Sequence, residues 1–312
     1  PPRRRGSRFW PQARQRKRDA RLRGGDGTGF GGYTRRMTRI AICAPATAIT
    51  PDHARAIEQL VADEFPEHSV YVHPQCFETW GHFAGDDLTR LTALLDCAND
   101  PQFDAVWFAK GGYGSNRIAQ AAVAQMNDAA REKTYVGFSD MGYLLAALYR
   151  AGIGQPVHGS MPVSARSETG REAVRRVLRW FSGDGSGLEP HLDGKTPTVA
   201  FNLITLAMMV DTPMLPDLSG HVVMVEEVSE HLYAVDRLFF SLSNTLPRVA
   251  GLRLGAVSNV PENDREFGMT AEEIAQFWCA RAGIPYLGRA EIGHTAANRI
   301  VPFGLASPAR GS

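Results

Sequence analysis

Residues 103–149 read FDAVWFAKGGYGSNRIAQAAVAQMNDAAREKTYVGFSDMGYLLAALY, and this stretch decides the fold. Phe103–Phe108 is a short apolar run that predicts a buried strand. It stops at Lys110-Gly111-Gly112-Tyr113-Gly114. Residues 116–126 repeat with helical spacing. Tyr135-Val136-Gly137-Phe138 then predicts another strand, and after Ser139 an apolar helix runs from about Met141 to Tyr149. Strand, loop, helix, strand and helix in that order imply a largely parallel sheet.

The same alternation extends in both directions. Upstream, residues 39–44 predict a strand, Thr50-Pro51 a helix start with Thr at the N-cap and Pro at N1, and His53–Phe65 the helix itself. Val70–Val72 predicts a second strand. Asp86–Cys97, with Leu88, Leu91, Leu94 and Leu95 on one face, predicts an amphipathic helix. The expected class is therefore α/β, with an N-terminal domain over 37–165. Arg171–Phe181 reads as a helix and Ser182–Pro197 as a Gly/Pro/Asp-rich loop, so 166–197 is taken as a connector. Residues 198–305 carry the runs His221–Val225 and Val249–Val257 and the helices Tyr233–Leu242 and Thr270–Ala282. These predict a smaller, mixed α/β C-terminal domain.

Composition bounds the function. The chain has 312 residues, 44% of them hydrophobic, and a formal net charge of +1. That small charge conceals an asymmetry. Residues 1–36 hold 12 Lys/Arg and 2 Asp/Glu, a balance of +10, and the rest of the chain carries −9. The body is acidic, which argues against nucleic acid as its partner. The basic leader has no apolar period and no apolar core of a secretory signal. Met37 stands directly before the first strand-like run, so 1–36 is expected to be disordered or upstream sequence lying outside the functional unit. No run of about 18 apolar residues predicts a membrane span. Cys43, Cys76, Cys97 and Cys279 lack metal-ligand spacing and suit a reducing compartment.

Three places could carry chemistry. Gly111-Gly112-Tyr113-Gly114 at a strand end could offer backbone N–H groups to an anion, or be a plain tight turn. It matches neither GxGxxG nor GK[ST]. Ser139 sits where a strand turns into a helix, which presents a nucleophile at the sheet edge. The local pattern alone favours a helix N-cap there. Glu226-Glu227 ends an apolar run, and Gly293-His294 lies in a late loop with Asn298 and Pro302 beyond. A Ser, a His and a carboxylate can make an activated nucleophile. Spacing cannot choose among nine histidines, and His158 in His158-Gly159-Ser160-Met161 competes with His294. No HExxH-type spacing supports a metal site.

From Ile40 to Gly304, the ordered set of short motifs resembles the LD-carboxypeptidase family of serine peptidases. It comprises Ala84-Gly85-Asp86, Gly111-Gly112-Tyr113-Gly114, Gly137-Phe138-Ser139-Asp140, His158-Gly159-Ser160-Met161, Phe201-Asn202-Leu203-Ile204, Val225-Glu226-Glu227, Val235-Asp236-Arg237 and Gly293-His294. The resemblance implies a flavodoxin-like N-terminal sheet and a Ser-Glu-His triad. Ser139 matches the nucleophile, Glu226 the orienting carboxylate, with Glu227 as fallback, and His294 the base. It places the oxyanion on the N–H groups of Gly112 and Asp140, with Tyr113, Lys110 and Asn202 as further binding residues. Lys110 replaces the family's usual Arg, Phe201 its Gly and Ile204 its Ser. The activity implied is release of terminal D-alanine from murein tetrapeptides during cytoplasmic peptidoglycan recycling, without metal or organic cofactor, by an enzyme often homodimeric. Two rival readings remain open. One is the microcin-immunity branch, acting on a peptide–nucleotide acyl bond. The other is a non-catalytic small-molecule binder in which Ser139 is only an N-cap.

Overall fold

The computed structural model describes residues 37–246 and 248–305. The leader expectation for 1–36 lies outside the described residues. The elements run β1 (Thr38–Cys43), α1 (Pro51–Glu64), β2 (His68–Val72), α2 (Asp87–Asn99), β3 (Ala105–Phe108), α3 (Ala119–Gln125), α4 (Asp128–Arg131), β4 (Thr134–Gly137), α5 (Gly142–Ala151), β5 (Gln155–His158) and α6 (Glu168–Phe181). Then follow β6 (Thr198–Asn202), α7 (Leu203–Met209), β7 (Val222–Val228), α8 (Leu232–Ser243), β8 (Gly251–Ser258), α9 (Ala271–Ala282), β9 (Tyr286–Arg289) and β10 (Val301–Pro302).

The first sheet has the order β10-β5-β4-β3-β1-β2. Strands β1 to β5 are parallel and β10 joins antiparallel at the β5 edge. The order 2-1-3-4-5 is the flavodoxin-like one. Parallel strands bring their carboxyl ends to one edge, and the order reverses between β1 and β3. Such a switch point opens a crevice in which ligands bind. The second sheet, β6-β7-β8-β9, is parallel throughout.

Helix α5 explains how the two sheets share a core. Every residue from Gly142 to Leu148 is buried, as expected of a helix apolar all round. One continuous cluster runs from Val106 and Phe108 through Leu144, Leu145 and Leu148 to Phe201, Leu206 and Val225 of the second sheet. The opposite face of the first sheet is covered by α1 and α6, through Ile57, Leu60, Val174, Val177 and Trp180. Helix α6 is amphipathic, and Ser167 caps it by accepting the Gly170 N–H at 3.1 Å.

Strand β5 and the pair β6 and α7 are among the elements not legible in the sequence. Strand β5 contains Pro156, which removes a ladder donor and hides a four-residue strand. The β6–α7 boundary lies inside a mainly apolar run, where periodicity cannot separate strand from helix. Asn202 makes that boundary: it ends β6 and caps α7, its Oδ1 accepting the Thr205 N–H at 3.3 Å. One expected element is split. Residues 116–126 comprise a 3₁₀ turn, Ser115–Arg117, followed by α3. The four cysteines are buried and unpaired. No helix among the described residues is long and apolar enough to cross a membrane.

Candidate active site

Strand β4 ends at Gly137, Phe138 is extended, and Ser139 turns with φ of 60° into a short 3₁₀ turn that leads to α5. A non-glycine residue in this left-handed region costs about 1–2 kcal/mol. Such strain is tolerated where surrounding structure imposes it. The N-cap reading of Ser139 fails here: its hydroxyl caps no helix, and Met141 holds the N-cap position of α5. The Ser139 side chain faces the glycine loop instead. A Cβ placed on Gly111 would lie 3.4 Å from Ser139 Oγ.

The glycine loop is held from three sides. Thr47, just beyond β1, donates its Oγ1–H to Gly111 O at 2.6 Å. Gly112 has φ of 108°, and a Cβ there would lie 2.6 Å from Thr47 Cγ2. Only glycine permits both that dihedral and that approach. The buried Arg90 of α2 donates to Pro45 O and to Gly114 O, the latter at 2.8 Å, and lies over the Phe83 ring. The Asp140 carboxylate accepts the Ser115 N–H at 2.9 Å and the Gly114 N–H at 3.3 Å. In return the Ser115 hydroxyl donates to Asp140 O at 2.6 Å. Asp140 therefore fastens the serine turn to the glycine loop through its side chain, a role the sequence reading, which used only its N–H, did not foresee. Burial pushes its carboxyl above the ordinary range, against the pull of these donors.

Strand β7 brings the carboxylates. Its register against β8 shifts between Val225 and Glu227, and irregularities of this kind re-aim side chains beside functional sites. Glu226 is 0% exposed, and its Oε2 pairs with His294 Nδ1 at 2.8 Å. The His294 side chain keeps 25% of its exposure, and its ring packs on Phe138 at 4.7 Å between centroids. Glu227 faces elsewhere. It accepts from Asn202 Nδ2, Ile204 N and Val228 N, each at 2.9 Å. The choice between the two glutamates as partner of His294 thus falls on Glu226. The competing His158 is buried behind Phe138, and its Nε2 is engaged by Asn298 Oδ1 at 2.9 Å.

Ser139 follows Phe138 in the chain, and the His294 ring packs on that same phenylalanine. No hydrogen bond joins Ser139 Oγ to His294 among the described residues; apo sites commonly show this bond long or unformed. The remaining expected residues are more dispersed. Lys110 is half-buried at the end of β3. Tyr113 is 48% exposed and neighbours His82 and Phe83. Asn202 is buried with its whole amide committed, oxygen to Thr205 and nitrogen to Glu227. It is in register with Glu226 of the neighbouring strand β7. Among the described residues no group of three or more His, Cys, Asp or Glu side chains is placed to hold a metal ion.

Comparison with known proteins matches residues 40–159 to the LD-carboxypeptidase N-terminal domain and 195–307 to the LD-carboxypeptidase C-terminal domain. The chain belongs to the LD-carboxypeptidase family, whose members are serine peptidases. It is 27% identical over 292 residues to the murein tetrapeptide carboxypeptidase of Pseudomonas aeruginosa, covering 88% of this chain and 94% of the relative. It is 26% identical over 239 residues to a probable murein peptide carboxypeptidase of Bacillus subtilis, covering 72% and 74%. Among solved structures, the muramoyltetrapeptide carboxypeptidase of Oxalobacter formigenes superposes with a TM-score of 0.71 at 24% identity, over 87% of this chain and 96% of the other. The microcin C7 self-immunity protein MccF has the same fold, with a TM-score of 0.71 at 16% identity, over 86% and 91%.

In this LD-carboxypeptidase several supporting residues carried no signal of their own. Thr47 and Arg90 lie in ordinary loop and helix patterns, 64 and 24 positions from their partners in the glycine loop. Gly255 on β8 is another: a Cβ there would meet Ile292 Cγ1 at 2.6 Å and Glu226 Cβ at 3.0 Å. Its missing side chain lets the glutamate strand and the chain before His294 close together.

Proposed function

We propose that this chain is an LD-carboxypeptidase that removes terminal D-alanine from murein tetrapeptides with Ser139, Glu226 and His294. The observation that carries the reading is the pairing of buried Glu226 with His294, whose ring packs on the phenylalanine that precedes a serine strained into a left-handed turn. Residues 37–165 supply the nucleophile and residues 198–305 its two partners. Ser139 Oγ attacks the carbonyl of the penultimate residue as its proton passes to His294 Nε2. Glu226 fixes the Nδ1–H tautomer and stabilises the imidazolium. The oxyanion lies on the N–H groups of Gly112 and Asp140, donors of a kind worth about 3–4 kcal/mol of barrier each. Collapse gives the His294 proton to the D-alanine nitrogen and leaves an acyl-Ser139. Water, deprotonated by His294, releases the shortened peptide. The reaction so written needs no metal or organic cofactor.

The free carboxylate of the leaving D-alanine calls for positive charge nearby. Lys110 supplies it, with Arg166 and His53 close by. Burial and these two cations hold the His53 imidazole below its ordinary pKa. The family relatives support a murein peptide as substrate, and recycling in the cytoplasm by a homodimer is the setting we propose. The test is release of D-alanine from L-Ala-γ-D-Glu-meso-diaminopimelate-D-Ala. Wild-type protein should release it and Ser139→Ala should not. Absence of release at every pH from about 6 to 9 refutes the reading.

A second reading has one observation in its favour. Trp80, 57% exposed, stacks on Phe83 next to Tyr113, and the three rings make an aromatic surface beside the glycine loop. A nucleobase could stack there, as a peptide–nucleotide substrate would require. Aspartyl sulfamoyl adenosine in the same assay separates the two: release of aspartate without release of D-alanine selects this reading.

A further inference from the structure

His158 is completely buried, and the reaction written above makes no use of it. Its hydrogen bonding is nevertheless fully determined. Asn298 Oδ1 meets the Gly293 N–H at 3.0 Å and His158 Nε2 at 2.9 Å. A backbone N–H can only donate, so the Asn298 atom facing it is the oxygen. His158 Nε2 must then carry the hydrogen that points at the same oxygen. Burial disfavours the charged form of the imidazole, and in the neutral tautomer that donates from Nε2 the Nδ1 atom carries no hydrogen. That Nδ1 has no hydrogen-bond partner among the described residues, and neither has Asn298 Nδ2. Leucine or phenylalanine would fill the space without stranding a polar atom in the core. The one specific thing the imidazole supplies is its Nε2–H to Asn298.

What that bond connects is the point. His158 ends β5 and is paired in register with Gly137, two residues before the nucleophile Ser139. Gly293 immediately precedes His294. Ile292 is still bonded to the second sheet, its carbonyl accepting the Ala256 N–H at 2.8 Å, so Gly293 is where the chain leaves that sheet. The chain next enters the first sheet at β10, where Val301 pairs with His158 itself. Phe138 is packed between the two imidazoles, 5.5 Å from His158 and 4.7 Å from His294.

We propose that His158 and Asn298 form a latch that registers the His294 loop against the nucleophile's sheet, which makes both of them positioning residues for the catalytic base. The triad needs such a part because its members come from two sheets. Glu226 fixes only one end of the imidazole. Where Nε2 stands relative to Ser139 depends on the backbone at Gly293, and the latch fixes that backbone to β5. A misplacement near 1 Å is enough to cost about 100-fold in rate.

The inference rests on the Ser139–Glu226–His294 reading, and the test has an arm that does not need turnover. Glutamine can place its Nε2 where the histidine Nε2 stands and donate to Asn298; leucine cannot. His158→Leu is expected to lower kcat about 10- to 100-fold with KM little changed, and His158→Gln is expected to restore most of it. Independently of any substrate, the downfield proton resonance of His294 Nδ1–H, identified by its absence in His294→Ala, should shift or broaden in His158→Leu and return in His158→Gln. Asn298→Ala should act on the resonance as His158→Leu does and serves if the leucine variant does not fold. Equal loss in the leucine and glutamine variants would mean that His158 acts by packing and overturns the latch. An unchanged His294 resonance in a folded His158→Leu or Asn298→Ala protein overturns it as well. Failure of the wild type to release D-alanine with the resonance behaving as expected would sink the substrate assignment and leave the latch standing.

Discussion

Replacing Glu226 by glutamine removes a charge and almost nothing else. The carboxylate is 0% exposed, one oxygen pairs with His294 Nδ1 at 2.8 Å, and the other has no hydrogen-bond partner among the described residues. When His294 takes the serine proton it becomes a cation about 4 Å, centre to centre, from that charge. At an effective dielectric near 20 this is worth about 4 kcal/mol. The sum is selective for the transition state, because in the reaction as proposed the positive charge reaches the imidazole only with the serine proton. At about 1.4 kcal/mol per tenfold in rate, kcat should fall about 1,000-fold. KM should stay nearly constant, since no substrate contact is lost. The quarter exposure of His294 lets water screen part of the interaction, so the loss should not exceed the 10,000-fold of the comparable change in the well-known serine protease triad. The assay is steady-state D-alanine release, coupled to a D-amino-acid oxidase, with circular dichroism to verify the fold. A folded Glu226→Gln protein within tenfold of wild-type kcat would show that this glutamate does not serve the base, and the triad assignment would fall.

Gly112→Ala should lower kcat sharply and destabilise the fold by about 1–3 kcal/mol in denaturant unfolding, because its Cβ would lie 2.6 Å from Thr47 Cγ2 at a φ of 108°. Glu227 gives a pH signature. Burial pushes its carboxyl above the ordinary 4.5, despite three donors. The folded protein then holds a proton the unfolded chain has lost, so stability falls as pH rises from 4.5 through the folded value. Glu227→Gln should flatten that slope, whatever its absolute stability; equal slopes in both proteins would refute the raised value. Deleting residues 1–36 should leave D-alanine release unchanged, since the family match begins at residue 40.

Much of this was legible because the first sheet is built from local signals. Each strand of residues 39–138 is a short apolar run closed by glycine, proline or polar residues, and each helix between them has one apolar face. Ser139 was legible only in company. By itself a serine before an apolar helix reads as a cap, and only the ordered set of motifs marked it as a nucleophile. The supports were not legible for a physical reason. Arg90, Thr47, His158 and Asn298 act across 24 to 140 positions of sequence, through single hydrogen bonds that leave no periodic trace. Glu226 and Glu227 differ only in the direction they face, and that direction depends on a register shift between β7 and β8. Asn202 entered as a binding residue only through the family resemblance; in the structure it caps α7 and donates to Glu227.

The joining of the two sheets bears on how the missing serine–histidine bond can form. A two-sheet enzyme with its triad divided between them suggests a hinge that closes on substrate. The packing opposes that picture. Helix α5 starts three residues after Ser139 and is buried along seven consecutive positions. A Cβ on its first residue, Gly142, would lie 2.9 Å from Thr205 Cγ2 of α7 and 3.3 Å from Phe201 Cδ1 of β6. Opening the sheets would strip this contact from the segment that holds the nucleophile in its strained turn. It would also pull β10 from β5 and Asn298 from His158. Rotation of the Ser139 side chain and a small turn of the exposed edge of His294 break none of these. For the triad proposed above, a side-chain movement is thus the readying step compatible with this packing, and the core that runs through α5 holds the frame.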